Sequence, residues 1–421
     1  PQAGGAEFVT ESAARQWVKW GHSVTLFAAH VDDQPEREIV EGVEIIRRGS
    51  RFSVYWEAYR YWKSEGWRRH ELVIDEINTV PFFTPLYVRR PAAWVMDINQ
   101  LAREIWFQQM PFPLSIIGYF LEPLYLKLYQ SKPAITISKS SRESLKQIGF
   151  SDAKIWPMFV ATPVIKTLPS ITTQELAAPT ILYLGSLRRM KGVDDVLEAF
   201  QDFRLTHPQA KLLIAGGGES ADVDRLKALA DRLNVTGATQ FLGRIPEADK
   251  TALYDKATLV TMASQREGWG LVITEANRRG RPGAAYNTWG SKDAIIDGKT
   301  GHLAPEFFTS DLANAWRAVV ASPKHYHALS KAALADATAR TSQRAAQIFL
   351  EKACQIAGFP NQSHLASVIS DRDLPTVSVI IPTLNAARLL KECLANIRAQ
   401  DYPQDKVEII LADGGSTDDT L

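Results

Sequence analysis

Residues 181–200 read ILYLGSLRRMKGVDDVLEAF, and this stretch decides the fold. An apolar run ends at Gly185, a basic loop follows as far as Lys191, and apolar residues at helical spacing begin at Val193. The apolar run predicts a buried strand, and the spacing after it predicts a helix. The stretch is therefore a βα unit, which is typical of parallel sheets.

The same alternation continues on both sides of this unit. Further strands are predicted at 24–27, 72–74, 134–137, 211–215, 240–242 and 259–262, and helices at 6–20, 52–70, 193–203, 223–233 and 248–256. Repeated βα units predict doubly wound sheets. We expect an α/β protein with two Rossmann-like domains facing a cleft: residues 1–165, which lack a first strand, and residues 166–357.

The remaining residues predict closing helices, a linker and a third unit. Residues 309–357 have helical spacing, and Gly and Pro then predict a linker over 358–374. Strands at 377–381 and 407–411, around a helix at 387–399, start an incomplete α/β unit over 375–421. Since the chain also begins at Pro1, we expect a fragment.

The composition excludes some classes of partner. The 421 residues include 48 Lys and Arg against 47 Asp and Glu, so no global charge favours nucleic acid. Two cysteines, Cys354 and Cys393, give no spacing typical of disulfide frameworks or metal clusters. No apolar run reaches the roughly 18 residues of a membrane helix. We expect a cytoplasmic protein without a signal peptide.

The loop after the 181–184 strand is a candidate diphosphate site. Backbone amides at Gly185 and the following helix start lie beside Arg188, Arg189 and Lys191 in the sequence. Such amides bind phosphate oxygens, and cations add to the attraction. The alternative is a solvated basic loop without a ligand.

A second candidate is the stretch from Glu267 to Glu275, between a strand and a helix. Its two carboxylates are eight positions apart, and Gly268 and Gly270 allow a ligand to approach the backbone. The alternative is helix capping, which a glutamate near a helix start also provides. Capping explains Glu275 poorly, because that residue falls in the second helical turn.

Five motifs in order resemble glycosyltransferase family 4, the retaining enzymes of GT-B fold, over roughly residues 1–357. They are Gly4-Gly5-Ala6-Glu7, Gly21-His22-Ser23-Val24, the loop 185–192, the stretch 267–275 and Asp297-Gly298-Lys299-Thr300-Gly301. The resemblance implies a nucleotide-diphosphate sugar as donor. It implies no cofactor and no metal in this part, because fixed cations and amides stabilise the departing diphosphate.

The resemblance also implies roles for single residues. Glu267 would contact hydroxyls of the donor sugar, and Glu275 the ribose of the nucleotide. Lys191 and a neighbouring arginine would bind the diphosphate. The turn at Gly4 and Gly5 would bind the donor phosphate from across the cleft.

Two positions depart from the family pattern. Ser186 stands where the family usually has Arg, so Arg188 or Arg189 would supply that charge. Asn99 stands where a strand of the first domain commonly ends in His, and Asn lacks the basicity of imidazole. Asp97 is a possible substitute for that contact, although an Asp at a strand end is as often a turn residue.

The last 47 residues resemble the start of a family 2 glycosyltransferase of GT-A fold. The matching stretches are Ile381-Pro382-Thr383-Leu384-Asn385 and 412–420. Asp413 would then contact the base or ribose of a second nucleotide sugar. A complete GT-A domain is expected to need a divalent metal, bound downstream of these residues, and we interpret Asp371 and Asp373 as linker charges.

Together these patterns predict a retaining glycosyltransferase that moves a hexose from a UDP- or GDP-sugar to a glycan or lipid-linked acceptor in bacterial surface polysaccharide assembly. We expect a cytoplasmic location, with possible peripheral contact at the inner face of the membrane. The apolar stretch 105–129 is either a groove for a lipid-linked acceptor or a packed core under a loop. The alternative functions are a non-catalytic nucleotide-sugar-binding module and a GT-B nucleotide-sugar epimerase.

Overall fold

A computed structural model of the protein describes residues 5–103, 106–109, 111–156, 164–165, 167–359, 377–398 and 407–420. The chain divides into two compact units, Pro1–Pro360 and Asn361–Leu421. In the larger unit we call residues 5–156 the N-terminal half and residues 164–341 the C-terminal half. Gly4 and most of the predicted linker lie outside the described residues.

The described strands lie close to the predicted ones, and β9 and β11 have the predicted bounds. The strands are β1 Thr25–Ala28, β2 Arg37–Val40, β3 Val43–Arg47, β4 Leu72–Glu76, β5 Ala93–Asp97, β6 Ala134–Thr136, β7 Ala153–Ile155, β8 Thr180–Leu184, β9 Lys211–Ala215, β10 Thr239–Gly243, β11 Leu259–Met262, β12 Gly283–Tyr286, β13 Gly301–Ala304, β14 Val377–Thr383 and β15 Val407–Asp413.

The described helices alternate with the strands as predicted. They are α1 Gly5–Lys19, α2 Val54–Tyr61, α3 Trp67–Arg69, α4 Thr84–Tyr87, α5 Trp106–Gln109, α6 Leu114–Leu126, α7 Lys139–Gln147, α8 Thr173–Ala177, α9 Val193–Arg204, α10 Ser220–Arg232, α11 Glu247–Lys256, α12 Leu271–Arg278, α13 Ser291–Ala294, α14 Thr309–Val319, α15 Pro323–Thr338, α16 Ser342–Ala357 and α17 Ala387–Arg398. A π-helical turn, Trp62–Gly66, joins α2 to α3. In the described part of the chain, no helix is both long and apolar enough to cross a membrane.

The C-terminal half contains a six-stranded sheet with the order β10-β9-β8-β11-β12-β13, and all its pairs are parallel. Strands buried on both faces carry continuous apolar runs, and Ile181, Leu182 and Tyr183 of β8 are at most 2% exposed. From β8 the chain moves first to β9 on one side and later to β11 on the other. The crevice between β8 and β11 is therefore the topological switch point, where doubly wound sheets bind ligands.

The N-terminal half contains a parallel sheet of order β4-β5-β6-β7 and a three-stranded sheet of order β1-β3-β2. In the second sheet β1 and β3 are parallel, but β2 is antiparallel to β3. The hairpin between them turns at Glu41 and Gly42, which both have positive φ. The repeated βα units predicted mostly parallel strands and did not include this antiparallel hairpin. The hairpin depends on its own two-residue turn.

Helix α16 leaves the C-terminal half and packs on the N-terminal half, against α1 and strands β4, β5 and β6. The indole N–H of Trp17 donates to the carbonyl oxygen of Ala346 at 3.0 Å. The ring of Phe349 lies between Trp17 and Trp156, with centroid distances of 5.4 and 4.7 Å. The two halves therefore share one core at this helix, as the second buried cluster contains residues from both.

A histidine pair in the C-terminal half predicts a pH-dependent stability. The Nε2 atoms of His302 on β13 and His325 on α15 lie 3.1 Å apart. Burial lowers the pKa of His302, with Asp297 opposing this and His325 adding to it. The unfolded chain therefore binds this proton more readily, so the stabilisation is complete above about pH 6.5 and is lost as pH falls through the lowered pKa. We expect the Tm to fall from pH 7 to pH 5.

The control for this prediction is the exposed His327 on the same helix. His302→Gln should make the dependence of Tm on pH shallower, whereas His327→Gln should leave it as in the parent. Equal slopes for all three proteins would contradict the assignment of this pH effect to the pair.

Candidate active site

The loop between β8 and α9 is held in place by a glycine that no other residue can replace without strain. Gly192 has φ of 66° and precedes α9, and a Cβ atom there would lie 2.2 Å from the carbonyl oxygen of Ala263. The basic loop thus packs directly on the segment that follows β11. Arg188 and Arg189 on this loop are exposed, whereas Lys191 is partly buried.

The two predicted motifs meet at the switch point. The ammonium of Lys191 donates to Oε1 of Glu267, although 76 positions separate the two residues. Their side chains are 25% and 18% exposed, respectively, so the pair lies at a partly sheltered surface. The structure therefore places one cation and one carboxylate in direct contact in the crevice between β8 and β11.

The backbone around Glu267 is fixed by the loop after β12. The Glu267 amide donates to the carbonyl oxygen of Trp289 at 2.9 Å. A Cβ atom on Gly290 would lie 2.3 Å from the Glu267 carbonyl oxygen. The guanidinium of Arg266 lies near the Trp289 ring and donates to Ser144 Oγ at 3.0 Å. Sequence reasoning missed Trp289 and Arg266, because their relation to Glu267 depends on tertiary packing.

A run of glycines after β9 packs against the start of the loop between β8 and α9. Gly216 has φ of 155°, and a Cβ atom there would lie 1.7 Å from the carbonyl oxygen of Gly185. The Leu187 amide donates to the Gly217 carbonyl oxygen at 3.0 Å. The Arg244 guanidinium lies beside Gly217, since an added Cβ there would be 3.2 Å from its Nε. Sequence reasoning also missed these residues, although three successive glycines after a strand are a usable signal.

Glu275 is turned into the C-terminal half rather than toward the start of its helix. It is 9% exposed, it accepts a hydrogen bond from the Tyr254 hydroxyl, and its Oε1 lies 4.0 Å from the Lys250 ammonium. Burial raises the pKa of Glu275, and Lys250 opposes the rise. Helix capping therefore does not explain this residue. The N-cap residue of α12 is instead Gly270, which has φ of 101°.

Asn99 lies where the two halves come together. Its carbonyl oxygen accepts from Ser141 Oγ, and a Cβ atom on Gly268 would lie 3.3 Å from that same oxygen. The side-chain Oδ1 of Asn99 is buried and, within the described residues, makes no hydrogen bond. The structure thus brings Asn99 next to the stretch that contains Glu267.

Asp97 lies inside the sheet, where it is 2% exposed. Burial raises the pKa of this carboxyl well above its usual range, the negative charge of Glu76 adds to the rise, and the Trp156 indole opposes it. The predicted role of Asp97 as a substitute donor contact stays a prediction.

Gly4 and Gly5 are predicted to bind the donor phosphate, and the structure describes only Gly5. Gly4 lies outside the described residues, and Gly5 is the first residue of α1. Their predicted role stays a prediction. In the described part of the chain, His, Cys, Asp and Glu form no group of three or more that could hold a metal ion.

In the smaller unit, Asp413 ends β15 and binds its own turn. Its carboxylate accepts from the Ser416 hydroxyl, from the Ser416 amide at 2.8 Å and from the Gly415 amide at 3.0 Å. The hydrogen bonds from Ser416 are the main cause that lowers the pKa of Asp413. A nucleotide would have to compete with this turn for the carboxylate, so the predicted nucleotide contact stays a prediction.

Comparison with known protein families gives matches to two parts of the chain. Residues 166–336 match the family "Glycosyl transferases group 1", and residues 378–421 match "Glycosyl transferase family 2". Glycogen synthase of Mycobacterium tuberculosis strain H37Rv is 33% identical over 174 residues, which is 41% of this chain and 38% of the relative. D-inositol 3-phosphate glycosyltransferase of Corynebacterium jeikeium is 34% identical over 151 residues, 34% of this chain and 36% of the relative. The chain thus spans under two fifths of the length of these relatives.

Solved structures resemble a larger part of the chain. Sucrose-phosphate synthase from Thermosynechococcus elongatus superposes with a TM-score of 0.67 at 20% identity, covering 86% of this chain and 94% of that one. Anabaena HepE in complex with UDP and glucose gives 0.64 at 18% identity, covering 85% and 97%. WaaG, a glycosyltransferase involved in lipopolysaccharide biosynthesis, gives 0.62 at 17% identity, with the same coverage. At these identities the likeness shows the fold.

The likeness to these solved structures shows that the larger unit has the two-domain GT-B fold. Residues 166–336, under half of the chain, match the model of the glycosyl transferases group 1 family. The family resemblance, the α/β class and the GT-B fold predicted from the sequence are thereby confirmed.

Proposed function

We propose that the larger unit is a retaining glycosyltransferase that moves a hexose from a UDP- or GDP-sugar to a glycan or lipid-linked acceptor. The ion pair of Lys191 and Glu267 at the switch point carries the proposal. The structures of HepE with UDP support a nucleotide donor, and the involvement of WaaG in lipopolysaccharide biosynthesis supports a role in surface polysaccharide assembly. We place the enzyme in the cytoplasm of a bacterium, in peripheral contact with the inner face of the membrane.

In the proposed reaction, Lys191 and Glu267 separate, and each binds a different part of the donor. A donor diphosphate attracts the Lys191 ammonium, and Glu267 is then able to accept hydrogen bonds from hydroxyls of the donor sugar. The diphosphate gains negative charge as the bond to the sugar breaks, and a fixed cation stabilises this charge. Arg188 and Arg189 are exposed on the same loop and add to the positive potential. These three cations take the place of a divalent metal in the proposal.

Glu275 has the surroundings that a ribose contact requires. Its carboxylate lies in the second turn of α12, between the Tyr254 hydroxyl and Lys250. A carboxylate accepts hydrogen bonds from the two ribose hydroxyls, and the phenol holds it in one orientation.

The test is a panel of UDP- and GDP-sugars, measured first by the rise in Tm and then by the release of nucleotide. A ligand at 100 times its Kd stabilises a protein by about 2.7 kcal/mol, which gives a clear rise in Tm. One nucleotide sugar should raise the Tm and release its nucleotide when an acceptor is added. The proposal is wrong if no member of the panel raises the Tm. Binding without release would favour the non-catalytic nucleotide-sugar-binding module.

Substitutions at Asn99 test whether the contact usually made by histidine is vacant. The buried Oδ1 atom of Asn99 has no hydrogen-bond partner among the described residues, so Asn99→Ala removes no Oδ1 hydrogen bond in that part of the chain. We expect Asn99→Ala to change kcat/KM by less than about threefold and Asn99→His to keep or raise it. A large loss in the alanine variant would show instead that the amide binds substrate.

Removal of the smaller unit tests whether the larger unit alone carries out glycosyl transfer. The residues of the proposed site all lie in the larger unit, whereas the smaller unit contains the β14 and β15 pair and α17. Deleting residues 375–421 should leave glycosyl transfer within a few-fold of the parent, and EDTA should inhibit neither protein, because Lys191 replaces the metal charge. Loss of activity in EDTA, or in a folded deletion variant, would contradict this assignment.

A further inference from the structure

Helix α6 has its polar and apolar sides reversed with respect to an ordinary surface helix. The residues that it buries are Ser115, Gly118, Glu122 and Leu126, at spacings of three and four. Surface helices usually bury their large apolar residues and expose the polar ones. Here a serine, a glycine and a glutamate occupy three of the four buried positions.

Two contacts fix this orientation of the helix. A Cβ atom on Gly118 would lie 2.2 Å from the ring of Trp106, so the helix backbone rests directly on that indole. The Glu122 carboxylate accepts from the amides of Ala102 and Arg103, at 2.6 Å each. A rotation of the helix would break both hydrogen bonds and leave a buried carboxylate without partners.

The outward side is therefore apolar, and we call it the outer face of α6. It consists of Leu114, Ile117, Phe120, Leu121 and Leu124, and all of these are exposed; Phe120 is 70% exposed and Leu124 57%. Phe112, just before the helix, is 79% exposed. Water solvates such a contiguous apolar surface poorly, so the face needs a partner. Within the described part of the 105–129 stretch, Trp106, Leu126 and Tyr129 are buried, whereas the outer face of α6 is exposed.

Basic side chains lie at the C-terminal end of the helix. Lys127 follows α6 directly and is exposed. Arg90 is exposed, and the Lys132 ammonium donates to the carbonyl oxygen of Trp94 at 3.0 Å. Arg89 is also exposed. Between residues 112 and 132 the sequence contains one acidic residue, Glu122, which is turned inward.

We propose that the outer face of α6 docks on a membrane surface that contains anionic phospholipid. The apolar side chains enter the boundary between headgroups and acyl chains, and the basic end contacts lipid phosphates. This combination of an apolar face and flanking cations is typical of helices that lie in the interface plane. With 13 residues, α6 is too short to span a bilayer, which needs roughly 20.

The docking surface extends the proposed function, but it does not rest on catalysis. None of its residues belongs to the switch-point crevice. Binding to vesicles is therefore measured without sugar substrates, and donor binding is measured separately by the rise in Tm. A failure of one measurement leaves the other result interpretable.

The experiment sediments the full chain with vesicles of phosphatidylethanolamine and phosphatidylglycerol, and with vesicles of phosphatidylcholine. The parent should bind the anionic vesicles more tightly. The double variant Phe120→Ser, Leu124→Ser should bind about 100-fold more weakly, since each lost apolar side chain is expected to cost roughly tenfold. Leu205→Ser, which replaces an 80% exposed leucine in the C-terminal half, should bind like the parent.

Charge and folding controls complete the test. Arg90→Gln combined with Lys127→Gln should weaken binding to the anionic vesicles and leave binding to phosphatidylcholine unchanged. All variants should keep the parent Tm, because the replaced side chains are exposed. Equal vesicle binding by the parent and the double variant would overturn the proposal. So would a parent that binds no vesicles but forms a dimer that the double variant abolishes, because the face would then bind a second copy.

Discussion

Replacing Lys191 by alanine is expected to lower kcat/KM for glycosyl transfer by about 100-fold or more. Single groups that stabilise developing negative charge in an active site are typically worth about 2.7–4 kcal/mol. Lys191 is suited to this role because its ammonium is partly buried at the switch point and its partner, Glu267, lies on the opposite side of the crevice. The loss should fall mainly on kcat, since the charge grows as the bond to the sugar breaks.

Lys324→Ala is the matched control for this prediction. Lys324 is an exposed lysine on α15 in the C-terminal half, so its removal should leave both kinetic constants unchanged. A double-mutant cycle with Glu267→Gln separates the two contributions to the Lys191 effect. Because Lys191 and Glu267 contact each other, their losses should not add. Unchanged kinetics in a folded Lys191→Ala protein would exclude Lys191 from the site.

Gly192→Ala is expected to have the second large effect, because it should lower both the stability of the protein and its binding of the donor. Gly192 has φ of 66°, and a Cβ atom would overlap the backbone carbonyl of Ala263. A left-handed conformation costs a non-glycine residue about 1–3 kcal/mol, and relief of the overlap must move the basic loop away from the segment after β11. We expect the Tm to fall by several degrees and the rise in Tm with donor to disappear.

Gly237→Ala provides the comparison. A Cβ atom on Gly237 would meet nothing within 4 Å, so this substitution should change the Tm by less than about one degree. If Gly192→Ala were as stable as Gly237→Ala and still bound the donor, the close contact between the two loops would not be needed for the site.

Much of the fold could be predicted because it depends on local patterns. The apolar runs of β9 and β11 are visible in the sequence, and both strands have the predicted ends. The hairpin of β2 and β3 was missed because both strands mix charged and apolar residues, and β2 lies at the edge of its sheet. Its turn at Glu41 and Gly42 was the available signal.

The candidate site was predictable in part for a similar reason. Lys191 and Glu267 follow neighbouring strands of one parallel sheet, so their loops had to meet at its carboxyl edge. The contacts of Trp289 and Arg266 depend on how loops pack, and no sequence spacing indicates them. For α6 the sequence left open what covers the apolar residues. The orientation of α6 depends on Gly118 and Glu122, whose contacts with the protein interior are made only from the inner side of the helix.

The return of α16 to the N-terminal half has a consequence for protein engineering. The two halves of this fold are not two consecutive segments of the sequence. Helix α16 packs on the N-terminal half, but it follows the C-terminal half in the chain. A chimera that joins the residues before Pro169 to the rest of a relative would pair Trp17 and Trp156 with a foreign helix in place of Phe349. Exchange of donor specificity between relatives therefore calls for two crossover points, one before β8 and one before Ser342.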